Sequence, residues 1–357
     1  MKLLFISARD VHKKLHGGFQ CTNRNYLSFC ELIGSSNIDV INLVEKKYPL
    51  FRSILKRVYL FFGFYFGLSP VKLKNIIKIS PEYDYVFIDT SSYGVIAYYL
   101  KKNKYKGQVI CFFHNIEYNI QLQRTKINPL RIWNIFIMYY NEKKACRYAD
   151  KIVVLNKRDG IELQRIYGAA KINIIPISLS DTFRNNVKDF TSIPPTFIFI
   201  GNNWFPNIHG LRWFVANVLD SVNIKLQIIG TGMDVLKEEF EHPRIEFLGF
   251  VPDLSSKLSD ADYVINPIFI GGGMKVKTCE ALMYGKNIIG TDEAFEGYEI
   301  DEINVGAVCN NREEFISAIN KCCNTRRPKF NEYNRTRFLE KYSFQATLSQ
   351  FKNLLSK

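Results

Sequence analysis

At 357 residues, 47% of them hydrophobic and 23% charged, the chain is too long for one ordinary core and too apolar to be disordered; two domains fit it best. Its eight cysteines (Cys21, Cys30, Cys111, Cys146, Cys279, Cys309, Cys322 and Cys323) form no CxxC pair, which argues against a disulfide frame or a cysteine zinc site and for a reducing cytosol. The net charge of +14 is uneven: residues 1–180 carry 28 Lys+Arg against 12 Asp+Glu, and residues 181–357 carry 20 against 22, so the first half is suited to an anionic partner.

In chain order, MKLLFISARDVHKK has a short apolar run and no small-residue cleavage site, and reads as a buried strand rather than a signal peptide. The strand Leu3–Ser7 leads to a polar loop holding His12, His16, Gly17 and Gly18, and then to a helix over Asn23–Leu32. Ile38–Leu43 is the next strand. Val58–Leu68, VYLFFGFYFGL, is the most apolar stretch. It is shorter than the ~20 residues that cross a bilayer, so it is either a buried core helix or an interfacial segment between Lys56-Arg57 and Lys72-Lys74. Strands follow over Tyr85–Asp89, Val109–Phe113 and Ile152–Leu155, with helices over Tyr93–Lys101, Leu130–Ala149 and Arg158–Tyr167. Short apolar runs of this kind are typical of parallel strands covered on both faces.

The pattern breaks at Asp181–Pro195, a polar stretch with Pro194-Pro195 that reads as a linker. It restarts with strands over Phe197–Ile200, Leu226–Ile229, Ile245–Leu248, Tyr263–Pro267 and Asn287–Gly290, and helices over Gly210–Leu219 and Leu254–Asp260. Two such arrays predict an α/β protein of two doubly wound, Rossmann-like parallel-sheet domains facing a central cleft. The expected division is 1–185, basic and acceptor-binding; 194–335, nucleotide-binding; and a closing helix over 336–357. Ligands of such sheets bind at the carboxyl ends of strands.

The most informative stretch is FIGGGMKVKTCEALMYG, residues 269–285. A strand runs into Gly271-Gly272-Gly273, then Met274, Lys275, Val276 and Lys277, and a helix carrying Glu280 ends at Gly285. Glycines let backbone amides approach an anion, and a helix N-terminus and two lysines add positive charge, so the stretch suits a diphosphate. Glu280 is placed to accept hydrogen bonds from a ribose diol. The GxxxxGK[ST] phosphate loop is absent, as is a full dinucleotide fingerprint. Asp260-Ala261-Asp262 has the form of a DxD metal motif but precedes its strand, at the wrong end for a ligand, and the five histidines have no metal-like spacing.

The run Glu280-Ala281-Leu282-Met283-Tyr284-Gly285-Lys286-Asn287-Ile288-Ile289 resembles the nucleotide-sugar signature of GT-B glycosyltransferases, family 4 (group 1) especially. Ile228-Ile229-Gly230-Thr231-Gly232, Phe247–Val251, Ala261–Pro267 and the tail Tyr342-Ser343-Phe344 resemble further stretches of that family, whose last helix commonly crosses back to the first domain. The resemblance implies a metal-independent, retaining transfer of a sugar from a UDP- or GDP-activated donor, with no cofactor beyond that co-substrate. It implies roles at the site for His114 and Glu280, and the residues themselves add Lys275 and Lys277, which are expected to neutralise the leaving diphosphate where the family's usual cations are missing. Donor contacts would come from Gly17, Gly18, Asn202, Asn203, Gly230, Gly271, Gly272, Gly273, Met274 and Val276, and acceptor contacts from Arg24 and Glu117. The sequence departs from the family twice. The acidic residue expected eight before Glu280 is Gly272, and the cations expected after the first strand of the second domain are replaced by Gly201-Asn202-Asn203.

By analogy the acceptor is a saccharide, lipid-linked and met at the inner membrane face by the basic, aromatic first domain, in surface polysaccharide or glycan assembly. A nucleotide-sugar epimerase or hydrolase of the same fold is the alternative. Nucleic acid is not expected, since no RNP, zinc-finger or helix-turn-helix pattern accompanies the basic residues.

Overall fold

The computed structural model describes residues 1–13, 17–43, 59–60, 62–65, 67–184 and 190–356. The chain forms two compact units, Met1–Pro176 with Thr347–Lys357, and Ile177–Ala346. The division at 176/177 lies ahead of the polar stretch expected to link the domains, of which residues 185–189 lie outside the described residues.

The first unit holds β1 (Leu3–Ser7), α1 (Gly17–Ile33), β2 (Ile38–Asn42), α2 (Pro70–Ile79), β3 (Tyr85–Ile88), α3 (Val95–Lys102), β4 (Gln108–Phe113), α4 (Glu117–Ile127), α5 (Ile132–Tyr148), β5 (Lys151–Val154), α6 (Lys157–Tyr167) and β6 (Ile172–Ile174). Its sheet is parallel, in the order β2-β1-β3-β4-β5-β6. The runs LLFIS and YVFI are buried at every position, because helices cover both faces of these central strands, while the edge strand β2 is largely exposed. Leu4, Ile6, Val86, Ile88, Cys111 and Phe113 form one core layer with Val95, Ile96 and Leu163 of the helices. Caps fix the helix starts: the Ser69 side chain accepts the Lys72 amide with Pro70 in the first turn, and Asn156 accepts the Asp159 amide.

The second unit holds β7 (Thr196–Ile200), α7 (Phe205–Asn217), β8 (Lys225–Ile229), β9 (Ile245–Gly249), α8 (Ser255–Asp260), β10 (Tyr263–Asn266), α9 (Val276–Met283), β11 (Asn287–Gly290), α10 (Asp292–Phe295), β12 (Gly306–Val308), α11 (Arg312–Asn324), α12 (Glu332–Arg337) and the start of α13 (Phe344–Leu354). This sheet is also parallel, ordered β12-β11-β10-β7-β8-β9. Phe197, Phe199, Leu226, Ile228, Ile265 and Ile289 pack against Leu211, Phe214, Phe315 and Ile319. The end of α13 belongs to the first unit, where Phe351 meets Phe29 edge-on at 5.4 Å and the Leu355 carbonyl accepts the Tyr85 hydroxyl at 2.6 Å.

The apolar stretch Val58–Leu68 divides. Phe64 and Leu68 are buried, Tyr59 and Phe62 are exposed, and Val58, Phe61 and Phe66 lie outside the described residues. Among the described residues no helix is long and apolar enough to cross a membrane.

Candidate functional site

The strand order makes β10, β7 and β8 neighbours, so the three loops that leave their carboxyl ends are neighbours too. These loops hold Gly271–Lys275, Gly201–Trp204 and Gly230–Gly232. They approach so closely that only glycine fits at one position: a Cβ on Gly230, whose φ is +149°, would lie 1.7 Å from the Gly201 carbonyl oxygen. The Asn203 amide donates to the Thr231 carbonyl at 3.0 Å and locks the two loops together. Asn202 and the exposed Asn203 line this edge, and the Asn207 amide holds the Asn202 carbonyl at 2.9 Å.

Lys277 and Glu280 stand three residues apart on α9 and so share a face. The Lys277 ammonium reaches the end of β7, donating to the Asn207 Oδ1 at 2.8 Å and sitting 4.0 Å from the centre of the Phe199 ring. Burial, and then the like charge of Lys275, push its pKa well below the ordinary lysine value, while Glu280 works the other way. A half-buried ammonium with an amide oxygen and an aromatic face as its neighbours is poised for an anion. It also stands where the sequence lacks the cations expected after β7. Glu280 is buried one turn into the helix.

Lys275 is used differently. Its ammonium lies 2.6 Å from Glu293 and donates to the Gly273 carbonyl at 3.0 Å and the Gly272 carbonyl at 3.4 Å. It therefore braces the glycine turn against α10, with its charge already met by a carboxylate. The sequence places both lysines at a diphosphate; in the structure Lys275 is paired with Glu293 and Lys277 with Asn207. Gly271 has φ +130°, which glycine alone adopts readily, and Gly273 has φ +60°, in the left-handed region that favours glycine. Gly272, at the expected acidic position, lends its carbonyl to Lys275. Met274 also turns inward, its Sδ accepting the Ile177 amide at 3.4 Å, while Val276 opens α9 half-buried.

At the carboxyl edge of the first sheet, His114 follows β4 and is buried. Its Nε2 donates to the Asp89 carbonyl at 2.7 Å and lies 3.4 Å from the Asp89 carboxylate. That carboxylate is fully buried and accepts from Thr22 at 2.6 Å, Asn25 at 2.7 Å and Ser7 at 3.3 Å. Burial lowers the His114 pKa, but Cys21 and Asp89 outweigh it and raise the value from 6.5 to about 9. Burial raises the Cys21 thiol, but His114 and Arg24 outweigh it and bring it below its ordinary value. The carboxylate beside it favours the protonated ring.

Arg24, expected to meet an acceptor, is instead inside the unit. It is 3% exposed, donates to the Pro176 carbonyl at 3.1 Å and stacks 4.9 Å from the Phe351 ring. The buried face of α1 is polar, with Thr22, Asn23, Arg24, Asn25 and Ser28, so the side chain fastens the closing helix and does not reach solvent. Gly17 and Gly18 form the first turn of α1 rather than a loop. The Arg9 guanidinium lies over that turn, 3.1 Å from where a Gly18 Cβ would be. Glu117 opens α4, and its amide donates at 2.7 Å to the buried Glu142, whose carboxyl burial pushes up to about 8. His16 lies outside the described residues. Asp262 is fully buried at the amino end of β10, where it accepts the Thr196 amide at 2.7 Å and pairs with Lys329 at 3.2 Å, a structural role. Two surface cavities of about 910 and 490 Å³ open at the amino ends of the strands, around Tyr105 and Gln108 and around Tyr263 and Cys322, away from these loops.

Residues 194–325, which carry the three loops and α9, match the family model "Glycosyl transferases group 1". Solved structures match the whole chain at low identity. Sucrose-phosphate synthase of Thermosynechococcus elongatus is 15% identical with a TM-score of 0.76, over 99% of this chain and 98% of that one. HepE of Anabaena, solved with UDP and glucose, is 14% identical with a TM-score of 0.68, over 99% of both chains. The lipopolysaccharide outer core galactosyltransferase WaaB is 14% identical with a TM-score of 0.67, over 99% of this chain and 98% of that one. No curated protein matches the sequence.

Proposed function

We propose, from the GT-B fold and from the match of residues 194–325 to the family model "Glycosyl transferases group 1", that the chain transfers a sugar from a nucleotide-diphosphate donor to a saccharide acceptor. The observation that carries the reading is the Lys277 ammonium at the carboxyl end of β7, against Phe199 and Asn207 and one helical turn from Glu280. Transfer asks mainly for stabilisation of the charge that develops on the leaving diphosphate. Lys277 and the N-terminus of α9 supply positive charge for that oxygen, and Glu280 receives the ribose diol. His114, fixed by Asp89 at the carboxyl edge of the first sheet, is the polar group that the first unit offers from its own sheet. HepE is solved with UDP, and with UDP-glucose, which supports uridine over guanosine as the donor base.

The transfer retains anomeric configuration and is metal-independent, as the resemblance implies. The acceptor is a lipid-linked saccharide in surface polysaccharide or glycan assembly, reached by an enzyme resting on the inner membrane face. The basic first half supports this last element. The test is incubation with a panel of UDP- and GDP-sugars. Nucleotide diphosphate release that rises with added saccharide or lipid-linked acceptor supports transfer. Release that ignores the acceptor favours a hydrolase, isomerised sugar an epimerase, and no release with any donor overturns the reading.

A further inference from the structure

Helix α5 is built inside out. Its inward face carries Asn141 and Glu142 among Ile137, Met138 and Ala145. Its outward face carries Ile132, Trp133, Phe136 and Tyr140, then Lys143 and Arg147. Trp133, Phe136, Tyr140, Lys143 and Arg147 are spaced three or four apart, which places them on one stripe. Trp133 and Phe136 are 59% and 60% exposed, with ring centres 6.1 Å apart. A helix in water normally presents this pattern reversed.

The stripe continues onto neighbouring elements. Gly63 packs under the Tyr140 ring, and its carbonyl accepts the Asn141 amide at 3.1 Å, which brings Phe62, 61% exposed, alongside. Ile127, 65% exposed, ends the preceding helix α4. The Lys144 ammonium lies 4.0 Å from the Tyr98 ring and 5.3 Å from Tyr140. Residues 91–149 hold ten Lys and Arg against two acids, of which Glu142 is buried.

We propose that this stripe of α5, with Phe62 and Ile127, docks the chain on an anionic lipid bilayer, with the aromatic half in the headgroup–acyl boundary and Lys143, Lys144 and Arg147 among the phosphates. Exposed Trp, Tyr and Phe beside cations, with no opposing acids, match an interface that is apolar below and anionic above. A water-facing surface has no use for three aromatic rings in one row. The proposal deepens the membrane placement given above, yet rests on no feature of the transfer chemistry.

The test uses the full chain with vesicles of phosphatidylcholine alone or mixed with phosphatidylglycerol. Wild type is expected to float with the mixed vesicles, less so at high salt. Trp133 fluorescence should shift to the blue on binding, and the shift should vanish in Trp133→Phe while Trp204 and Trp213 remain. The double variant Trp133→Ser/Phe136→Ser should lose at least tenfold in vesicle affinity, and Lys143→Glu/Arg147→Glu likewise, each with an unchanged melting temperature because the residues are exposed. Transfer to a soluble acceptor should be unaffected, so failure here is distinct from failure of the transferase reading. Wild type that ignores anionic vesicles, variants that bind as wild type, or a stripe variant that converts a dimer to a monomer would each overturn it; the last would assign the face to a second copy.

Discussion

Replacing Lys277 with Met tests the donor site where its chemistry is concentrated. The ammonium lies 2.8 Å from Asn207 and 4.0 Å from the Phe199 ring centre, in a setting that holds its pKa far down. A phosphate charge at ~4 Å from it gains about 4 kcal/mol at an effective dielectric near 20. Removing one preorganised donor from a developing oxyanion typically costs about 10²–10³ in rate, and kcat/KM should fall by about that much in Lys277→Met. Folding should respond in the opposite sense. Burial disfavours the charged lysine, so an apolar side chain of similar length should leave the melting temperature unchanged or raise it. The assay is steady-state release of nucleotide diphosphate, paired with thermal unfolding of the same samples. A kcat/KM within about threefold of wild type would refute the reasoning, the expected loss being roughly a hundredfold or more. So would lost activity accompanied by a lower melting temperature, because Lys277 would then be holding the fold.

Lys275→Met should behave as the converse. Glu293 and the Gly272 and Gly273 carbonyls lose their donor, so stability should drop by about 1–3 kcal/mol in urea titrations, and the activity that remains should track the folded fraction. Gly230→Ala forces a Cβ onto the Gly201 carbonyl at a positive φ. It should destabilise the second unit by at least ~1–3 kcal/mol and weaken nucleotide binding together, read by urea unfolding and UDP titration. His114 gains its proton affinity on folding. Its contribution to stability is complete below the unfolded value of 6.5 and is lost as pH rises through about 9. His114→Gln should flatten stability across that window, and in Asp89→Asn the His114 ring resonances should titrate well below the wild-type value.

The βα alternation was legible because parallel strands buried on both faces announce themselves as short apolar runs, and Leu3–Ser7, Phe197–Ile200 and Asn287–Gly290 fall where those runs lie. Helix α4 was missed because EYNIQLQRTKI lacks a clear apolar stripe; it is held by Glu142, twenty-five residues on, whose carboxylate accepts the Glu117 and Tyr118 amides. The site was legible in part. The glycine turn and α9 are local, and local pattern finds them. Which lysine meets which partner is not local: Glu293 lies eighteen residues beyond Lys275, and Asn207 seventy before Lys277. Arg24 misled for a related reason. A cation on a helix suggests solvent, but here it is the inner face of α1 that is polar, and the Asp89 network that explains it is assembled from β1, α1, β3 and β4.

The central claim is that the second unit grips a nucleotide diphosphate through Lys277, and calorimetric titration of UDP and GDP tests it most directly. The free ammonium has a lowered pKa and a bound diphosphate raises it, so the complex holds more protons than its parts in the window between the two values. Run in buffers of different ionisation enthalpy, the titration should show binding with proton uptake, affinity that falls as pH rises through the free pKa, and neither effect in Lys277→Met. Absence of binding by either nucleotide, or binding that is equally tight and equally proton-linked in the variant, would contradict the account.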